Sequence, residues 1–331
     1  MVKLKDIALK TGLNISTVSR ALLDRPDISD KTRRRVKRIA AEMGYTPKRS
    51  KPNFIGIIVP EVTSQYYSGL VHILEENLSA KGYSMIHMLT GFSPKRTEEA
   101  VKKMHQLGVA GIIISEVPSE RDKLQEIAIK IDVPVVMLSE VRSVSSLDLI
   151  YIDQYRIISL AVEHLMSLGH RKIGYIGEEL SDVRYKAYVE ILKQHGIPFD
   201  QSFVKIGTER FEKGGYLRAK ELLEEPDLPS AVIASYDQIA IGAIKAFTEA
   251  GLKVPRDMSI IGVDNIITDD YMHIRLTSIT NPVEQLGIVS VKLLLSNIDD
   301  PESHVVQHVA LQSELVLRES TAPPRVKKNR K

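Results

Sequence analysis

The chain of 331 residues contains no cysteine, which excludes disulfides, thiolate metal sites and cysteine nucleophiles. No apolar run approaches the roughly 18 to 20 residues that span a bilayer. Met1 opens onto Lys3, Lys5 and Asp6 rather than an apolar leader, so the expected location is the cytoplasm, away from the membrane. The short catalytic signatures are missing too: there is no Gly-x-x-x-x-Gly-Lys-Ser/Thr, Gly-x-Gly-x-x-Gly, Gly-x-Ser-x-Gly or His-Glu-x-x-His. His72, His87, His105, His164 and His170 are scattered, and the pairs Glu75-Glu76 and Asp269-Asp270 read as solvated faces. No catalytic residue, metal site or cofactor is expected, and the protein is not expected to be an enzyme.

What is present is ordinary in amount and uneven in place. A hydrophobic share of 43% and a charged share of 26% are those of a soluble globular chain, and the length allows two or three domains. The net charge of +3 conceals a strong division. Residues 1–53 hold 14 Lys and Arg against 5 Asp and Glu, residues 321–331 hold 5 basic residues and no acidic one, and 54–320 hold 26 against 37. A basic head, an acidic body and a short basic tail follow, and the head has the electrostatic footprint of a nucleic-acid binder. The tail, with Pro323, Pro324 and no apolar periodicity, reads as a disordered end.

In the head, Leu4, Ile7 and Ala8 lie at helical spacing, and Gly12 stops the helix. Asn14 is a good N-cap for a second short helix, and Leu13 with Val18 forms a hydrophobic staple across its start. Val18, Ala21 and Leu22 form its inner face. A third helix runs from a cap at Ser29 or Asp30 to Gly44, burying Val36, Ile39, Ala40 and Met43 and carrying Arg33, Arg34, Arg35, Lys37 and Arg38 on its other face. This is a helix-turn-helix, whose second helix enters the major groove N-terminus first. Ile15 can touch a thymine methyl, Ser16 a base edge or phosphate, and Arg20 a guanine through its fork. Thr17 and Ser19 position phosphates, and Leu4 and Asn14 complete the DNA-facing set.

From Phe54 short apolar strands alternate with helical segments. Strands are expected at 54–59, 84–89, 110–114 and 134–138, with helical stretches near 66–81, 96–107 and 120–130. The series restarts at 149–152, 172–176, 203–206, 231–235 and 259–263. This is an α/β body of two lobes, each on a parallel sheet covered on both faces. Ligands of such sheets bind beyond the carboxyl ends of the strands. Those places hold Ser64 to Tyr67, Ser139 and Glu140 in one lobe, and Arg184, Tyr236, Asp237, Asp264 and Asn265 in the other.

The runs Leu4-Lys5-Asp6-Ile7-Ala8, Ser16-Thr17-Val18-Ser19-Arg20-Ala21-Leu22 and Met43-Gly44-Tyr45-Thr46-Pro47 closely resemble the head of the lactose-repressor/galactose-repressor family of bacterial regulators. Leu168-Gly169-His170-Arg171-Lys172-Ile173, Tyr236 to Gly242 and Ser259 to Asp264 extend the resemblance through the body to about 318. It implies a periplasmic-binding-protein-like body that dimerises and binds a small effector, often a sugar or its phosphate, between the lobes. Arg184 and Asp264 match the family's effector-binding arginine and aspartate. Ser139, Tyr236 and Asn281 align with effector-contacting positions, Tyr236 replacing a common asparagine, and Tyr66 and Phe211 are candidates to stack on a sugar face.

The implied organisation is a helix-turn-helix domain at 1–46, a linker at 47–53, a body at 54–318 and a basic tail at 319–331. The lobes comprise about 54–150 with 280–312, and 151–279 with 313–318. The family's hinge helix, whose leucine wedges into the minor groove, has no counterpart: Pro47 is followed by Lys48-Arg49-Ser50-Lys51-Pro52-Asn53. An extended linker is expected, with Lys48, Arg49 and Lys51 contacting phosphates or the minor groove and the operator centre less bent. The reading is a homodimeric regulator, a repressor, on a pseudo-palindromic double-stranded operator, controlled by a carbohydrate effector. A sugar-binding or sugar-processing protein with an accessory basic head, a transporter's solute-binding protein and a sequence-neutral architectural DNA binder remain alternatives.

Overall fold

Gly12 takes the left-handed conformation, φ 68°, where the chain turns between α1 (Leu4–Thr11) and α2 (Ile15–Leu22). Asn14 Oδ1 accepts the Thr17 amide at 2.8 Å and the hydroxyls of Ser16 and Thr17 at 2.6 and 2.8 Å, closing the start of α2. Ser29 caps α3 (Asp30–Glu42) through the Thr32 amide at 3.4 Å. The three helices bury Ile7, Ala8, Val18, Ala21, Val36, Ile39 and Ala40 against one another. Two arginines of α3 serve the head's own structure: Arg35 donates to the Thr11 carbonyl at 3.0 Å, and Arg33 to that of Ile28 at 2.9 Å.

The computed structural model describes residues 2–22, 28–45, 53–115, 121–131, 133–140 and 146–325. The chain divides into two compact units, Met1–Pro52 and Asn53–Lys331. The linker residues Lys48, Arg49 and Lys51 lie outside the described residues.

The second unit contains two six-stranded sheets. The first comprises β1 (Phe54–Val59), β2 (Ser84–Leu89), β3 (Gly111–Ser115), β4 (Val135–Ser139), β5 (Asp148–Ile152) and β11 (His308–Leu311), in the order β11-β5-β4-β3-β1-β2 and all parallel. Its helices are α4 (Gln65–Ser79), α5 (Pro94–Leu107), α6 (Arg121–Lys130) and α11 (Val283–Asp299), with α4 packed on α11 and α5 on α6. The second comprises β6 (Ile173–Glu178), β7 (Val204–Gly207), β8 (Ala231–Ala234), β9 (Ser259–Asp264), β10 (Thr277–Thr280) and β12 (Leu315–Val316), in the order β12-β10-β9-β8-β6-β7. There only the β10–β12 pair is antiparallel. Around it lie α7 (Gln154–Ser167), α8 (Asp182–Gln194), α9 (Phe211–Leu223) and α10 (Asp237–Glu249), with α7 packed on α8 and α9 on α10. The central strands are buried on both faces, as parallel sheets require.

Three sequence expectations change. The strand at Asp148–Ile152 completes the first sheet, pairing with β4 and β11, instead of opening the second; its apolar pattern is that of any buried strand. The lobes therefore meet at about 153, and the chain crosses between them again at 281–282 and 312–314. The segment 319–325 is no loose tail. The Ile260 amide donates to the Ser320 carbonyl at 2.9 Å, the Ser320 hydroxyl donates to the Ile260 carbonyl at 2.7 Å, and the Ala322 amide donates to Ser259 Oγ at 3.0 Å. Backbone pairing holds this strap without any apolar period. Finally, Asp269 is fully buried rather than solvated.

Two groups of titratable residues lock the second lobe in opposite pH senses. His170 bridges Ser230 Oγ at 2.8 Å and the Ala322 carbonyl at 2.9 Å, and His164 Nε2 meets Thr321 Oγ1 at 2.9 Å. Burial holds both imidazoles below the ordinary histidine range. Asp237 accepts the Ser278 hydroxyl at 2.7 Å and the Ile266 amide at 3.1 Å, with Asp269 beside it. Burial and repulsion from Asp269 push Asp237 far up, and burial also raises Asp269.

Each group yields a prediction. Histidines held neutral in the fold contribute stability above the ordinary pKa of about 6.5, and that stability is lost as pH falls. Denaturant melts from pH 7.5 to 5 should show a steeper loss for the parent than for a His164→Gln/His170→Gln variant; equal slopes contradict the clamp. The carboxyl pair contributes stability at low pH that is lost as pH rises through its raised folded values. Asp269→Asn should therefore gain on the order of 1 kcal/mol relative to the parent between pH 5 and pH 8, and a relative loss over that range contradicts the raised carboxyls.

Candidate effector cleft and DNA-reading helix

Asn14 just before α2 and Ile15, Ser16 and Arg20 on it are exposed, Ile15 by 51%, while Thr17, Ser19 and, on α1, Leu4 are half-buried. Arg20 folds back so that Nε meets the Ser16 carbonyl at 3.4 Å. Leu9, which the sequence reading passed over, is 83% exposed and lines a shallow hollow with Lys5, Gly12, Asn14, Ile15 and Ser16. Its position one turn from Lys5 on a short amphipathic helix was the available signal.

In the body, the ends of the strands and the starts of the following helices enclose a cavity between the lobes. Arg184 stands in the first turn of α8 and is 9% exposed. Its Nε donates to Gln154 Oε1 at 2.6 Å, one Nη to the Ser235 carbonyl, and the other to Asp264 Oδ1 at 3.3 Å. Burial works against this charge, but Asp264 and Glu140 outweigh it and hold the guanidinium above its ordinary value. Asp264 ends β9, and its Oδ1 also accepts Asn281 Nδ2 at 3.1 Å. Burial raises its pKa, while Arg184 and Asn281 pull the other way. Asn281 Oδ1 is buried with no hydrogen-bond partner.

A second cluster adjoins the first. Tyr236, after β8, donates its hydroxyl to Glu178 Oε2 at 2.7 Å and accepts the Phe211 amide at 3.1 Å. Arg210 Nε donates to Glu178 Oε2 at 3.1 Å and Nη2 lies 3.7 Å from Glu61 Oε1 in the other lobe. The guanidinium carbon lies 4.4 Å from the Phe211 ring centre and 5.0 Å from that of Phe92. Burial opposes its charge, but Glu178, Tyr236 and Glu61 keep its pKa above the ordinary value. Tyr66 and Tyr67 stand edge to face at 4.9 Å, and burial keeps both phenols neutral.

Tyr66, Arg184, Phe211, Tyr236, Asp264 and Asn281 all line this cavity. Ser139 is the last residue of β4; its neighbour Glu140 is the one at the lining. Sequence reasoning missed Arg210, Glu178 and Gln154. Glu178 closes β6 and Arg210 follows β7, so the rule that ligands bind at carboxyl strand ends held the signal. Among the described residues, the non-glycine residues with φ in the left-handed region are Phe92, Phe211, Asp264 and Asn265, at 59°, 60°, 105° and 52°. The first three line the cavity, and such strain clusters where structure is held for function.

The sequence profile of bacterial regulatory proteins of the lacI family matches residues 3–48, and that of the periplasmic binding protein-like domain matches 162–321. HTH-type transcriptional regulator DegA of Bacillus subtilis (strain 168) is 31% identical over 332 residues, covering 96% of this chain and 97% of its own length. The structure of a LacI family transcriptional regulator from Enterococcus faecium with bound ribose is 31% identical, covers 82% of this chain and 100% of that one, and superposes with a TM-score of 0.72. The lac repressor dimer bound to operator and an anti-inducer is 25% identical, with 97% and 99% coverage and a TM-score of 0.74. With an exposed reading helix in its head and a lined cleft between its lobes, the chain belongs to the lacI family of bacterial regulatory proteins, as a DNA-binding transcriptional regulator and not an enzyme.

Proposed function

We propose that this regulator is a cytoplasmic homodimeric repressor whose operator affinity is set by a sugar or sugar derivative bound between the lobes. The observation that carries the proposal is the Arg184–Asp264 pair. Arg184 is tied to Gln154, just past the first crossing between lobes, and Asp264 to Asn281, in the second. A ligand that reorders this pair pulls on both crossings, which is how its binding energy reaches the rest of the dimer. The free Asp264 oxygen and the remaining N–H groups of Arg184 suit vicinal hydroxyls, one side accepting and the other donating. Tyr66 and Phe211 offer faces to the sugar ring, Tyr236 and Asn281 shape the walls, and Ser139, at the end of β4, acts through its neighbour Glu140 at the lining.

On DNA, each head of the dimer reads one half of a pseudo-palindrome. Ile15, Ser16 and Arg20 meet base edges, with Leu4 packing beside them; Asn14, Thr17 and Ser19 position phosphates. Lys48, Arg49 and Lys51 add electrostatic contacts from the linker. The bound ribose and operator in the two related structures agree with this assignment for those proteins. No helix among the described residues is long and apolar enough to cross a membrane.

In operator titrations, Arg20→Ala should cost about 1 to 3 kcal/mol at one base position of each half-site. If 6 to 10 phosphates are neutralised, parent affinity should fall roughly 10³- to 10⁵-fold between 50 and 200 mM salt. A uniform loss across all sequences would make Arg20 a phosphate contact, and equal affinity for operator and random DNA would contradict sequence-specific regulation.

A further inference from the structure

We infer that the cleft is built for an uncharged polyhydroxy ligand and excludes its phosphorylated or carboxylated counterparts; this rests on the cleft being the sugar-effector site. The two arginines at the lining invite the opposite view, since guanidinium is the usual receptor for phosphate. Neither is available in that sense. Arg184 is matched by Asp264 at 3.3 Å and has further N–H groups on Gln154 and the Ser235 carbonyl. Arg210 is matched twice, by Glu178 at 3.1 Å and by Glu61 at 3.7 Å, and the rings of Phe92 and Phe211 lie against it at 5.0 and 4.4 Å.

Glu61 is itself held as a carboxylate: burial opposes its charge, but bonds from Ser64 and Thr63 prevail and keep its pKa below the ordinary range. Those same bonds occupy backbone amides at the mouth of α4, with the Ser64 amide 3.0 Å from Glu61 Oε2. Asp182 and Glu212 sit in the first turns of α8 and α9, so these helix starts, which would otherwise attract an anion, already face acidic groups. Without counting Glu140, two guanidiniums meet the three carboxylates of Asp264, Glu178 and Glu61 among the described residues.

Two acceptor atoms of the cleft stand unused. Among the described residues the hydrogen bonds to Asp264 reach Oδ1 and none reaches Oδ2, and Asn281 Oδ1 is buried without a partner because its Nδ2 is turned to Asp264. Both are acceptors and call for a ligand that donates. A hydroxyl donates; a phosphate dianion only accepts and brings charge that no unmatched cation lining the cavity meets among the described residues.

The test is calorimetric binding by the full-length protein of matched pairs: ribose and ribose 5-phosphate, glucose and glucose 6-phosphate, fructose and fructose 6-phosphate, with inorganic phosphate alone as a further probe. At least one neutral sugar should bind ten-fold or more tighter than its phosphate, and inorganic phosphate should not compete with it. A Glu61→Gln/Glu178→Gln variant, which unmasks Arg210, should narrow that ratio by ten-fold or more; an unchanged ratio in the folded variant would remove the assigned cause and overturn the inference. A phosphorylated member binding as well as or better than its parent overturns the inference and leaves the sugar-effector reading standing. Binding of neither member of any pair overturns both.

Discussion

The buried ion pair between Arg184 and Asp264 is the constraint on which the body depends. Two opposite charges removed from water are tolerable only when each is paired and further hydrogen-bonded. Here the extra partners are not arbitrary. Gln154 and Asn281 lie where the chain passes between the sheets, and the Ser235 carbonyl closes β8. The pair that the proposed ligand would meet is thereby hydrogen-bonded to both lobe crossings, which is the basis for the proposed coupling of occupancy to lobe angle.

Backbone packing delivers the rest of the cleft. Gly214 and Gly215 on α9 lie against Ile239 and Glu209, and Gly242 on α10 lies against the Glu212 carbonyl, leaving no room for a Cβ. The two helices therefore approach closely, and their starts bring Arg210, Phe211 and Tyr236 together. Left-handed backbone at Phe211 and Asp264 costs on the order of 1 to 3 kcal/mol each; burial of the flanking strands and helices is what sustains it. Asp264 opens the stretch from 264 to 276, which also carries Asp269 and donates its Ile266 amide to Asp237, so the carboxyl pair and the proposed ligand contact at Asp264 share one loop.

Much of this was legible in the sequence for identifiable reasons. The head follows from short-range signals, namely Gly12, the Asn14 cap and the spacing of Ile7, Val18 and Val36, all of which act within a few residues. Strand positions were legible because buried parallel strands are continuous apolar runs. Sheet membership was not: the run at 148–152 is equally apolar in either lobe, and only its neighbours β4 and β11 decide. The C-terminal strap was missed because its hold is backbone and hydroxyl pairing, which leaves no period. Arg184 and Asp264 stood out by their places beyond strand ends and then by resemblance, whereas Arg210 was missed because its partners Glu61, Phe92 and Glu178 are far apart in sequence and meet only in the folded cleft.

In the proposed mechanism one pair of residues, Arg184 and Asp264, links ligand in the cleft to DNA at the head. Linkage requires that whatever factor a ligand imposes on operator affinity, operator imposes on ligand affinity. The most direct measurement is calorimetric titration of the tightest-binding neutral sugar into the protein, free and saturated with operator, beside operator titrations with and without that sugar. The proposed coupling requires the same factor, on the order of 5- to 150-fold, in both directions for the parent, and a smaller factor, again equal in both directions, for Gln154→Ala. Equal sugar affinity with and without operator would contradict it.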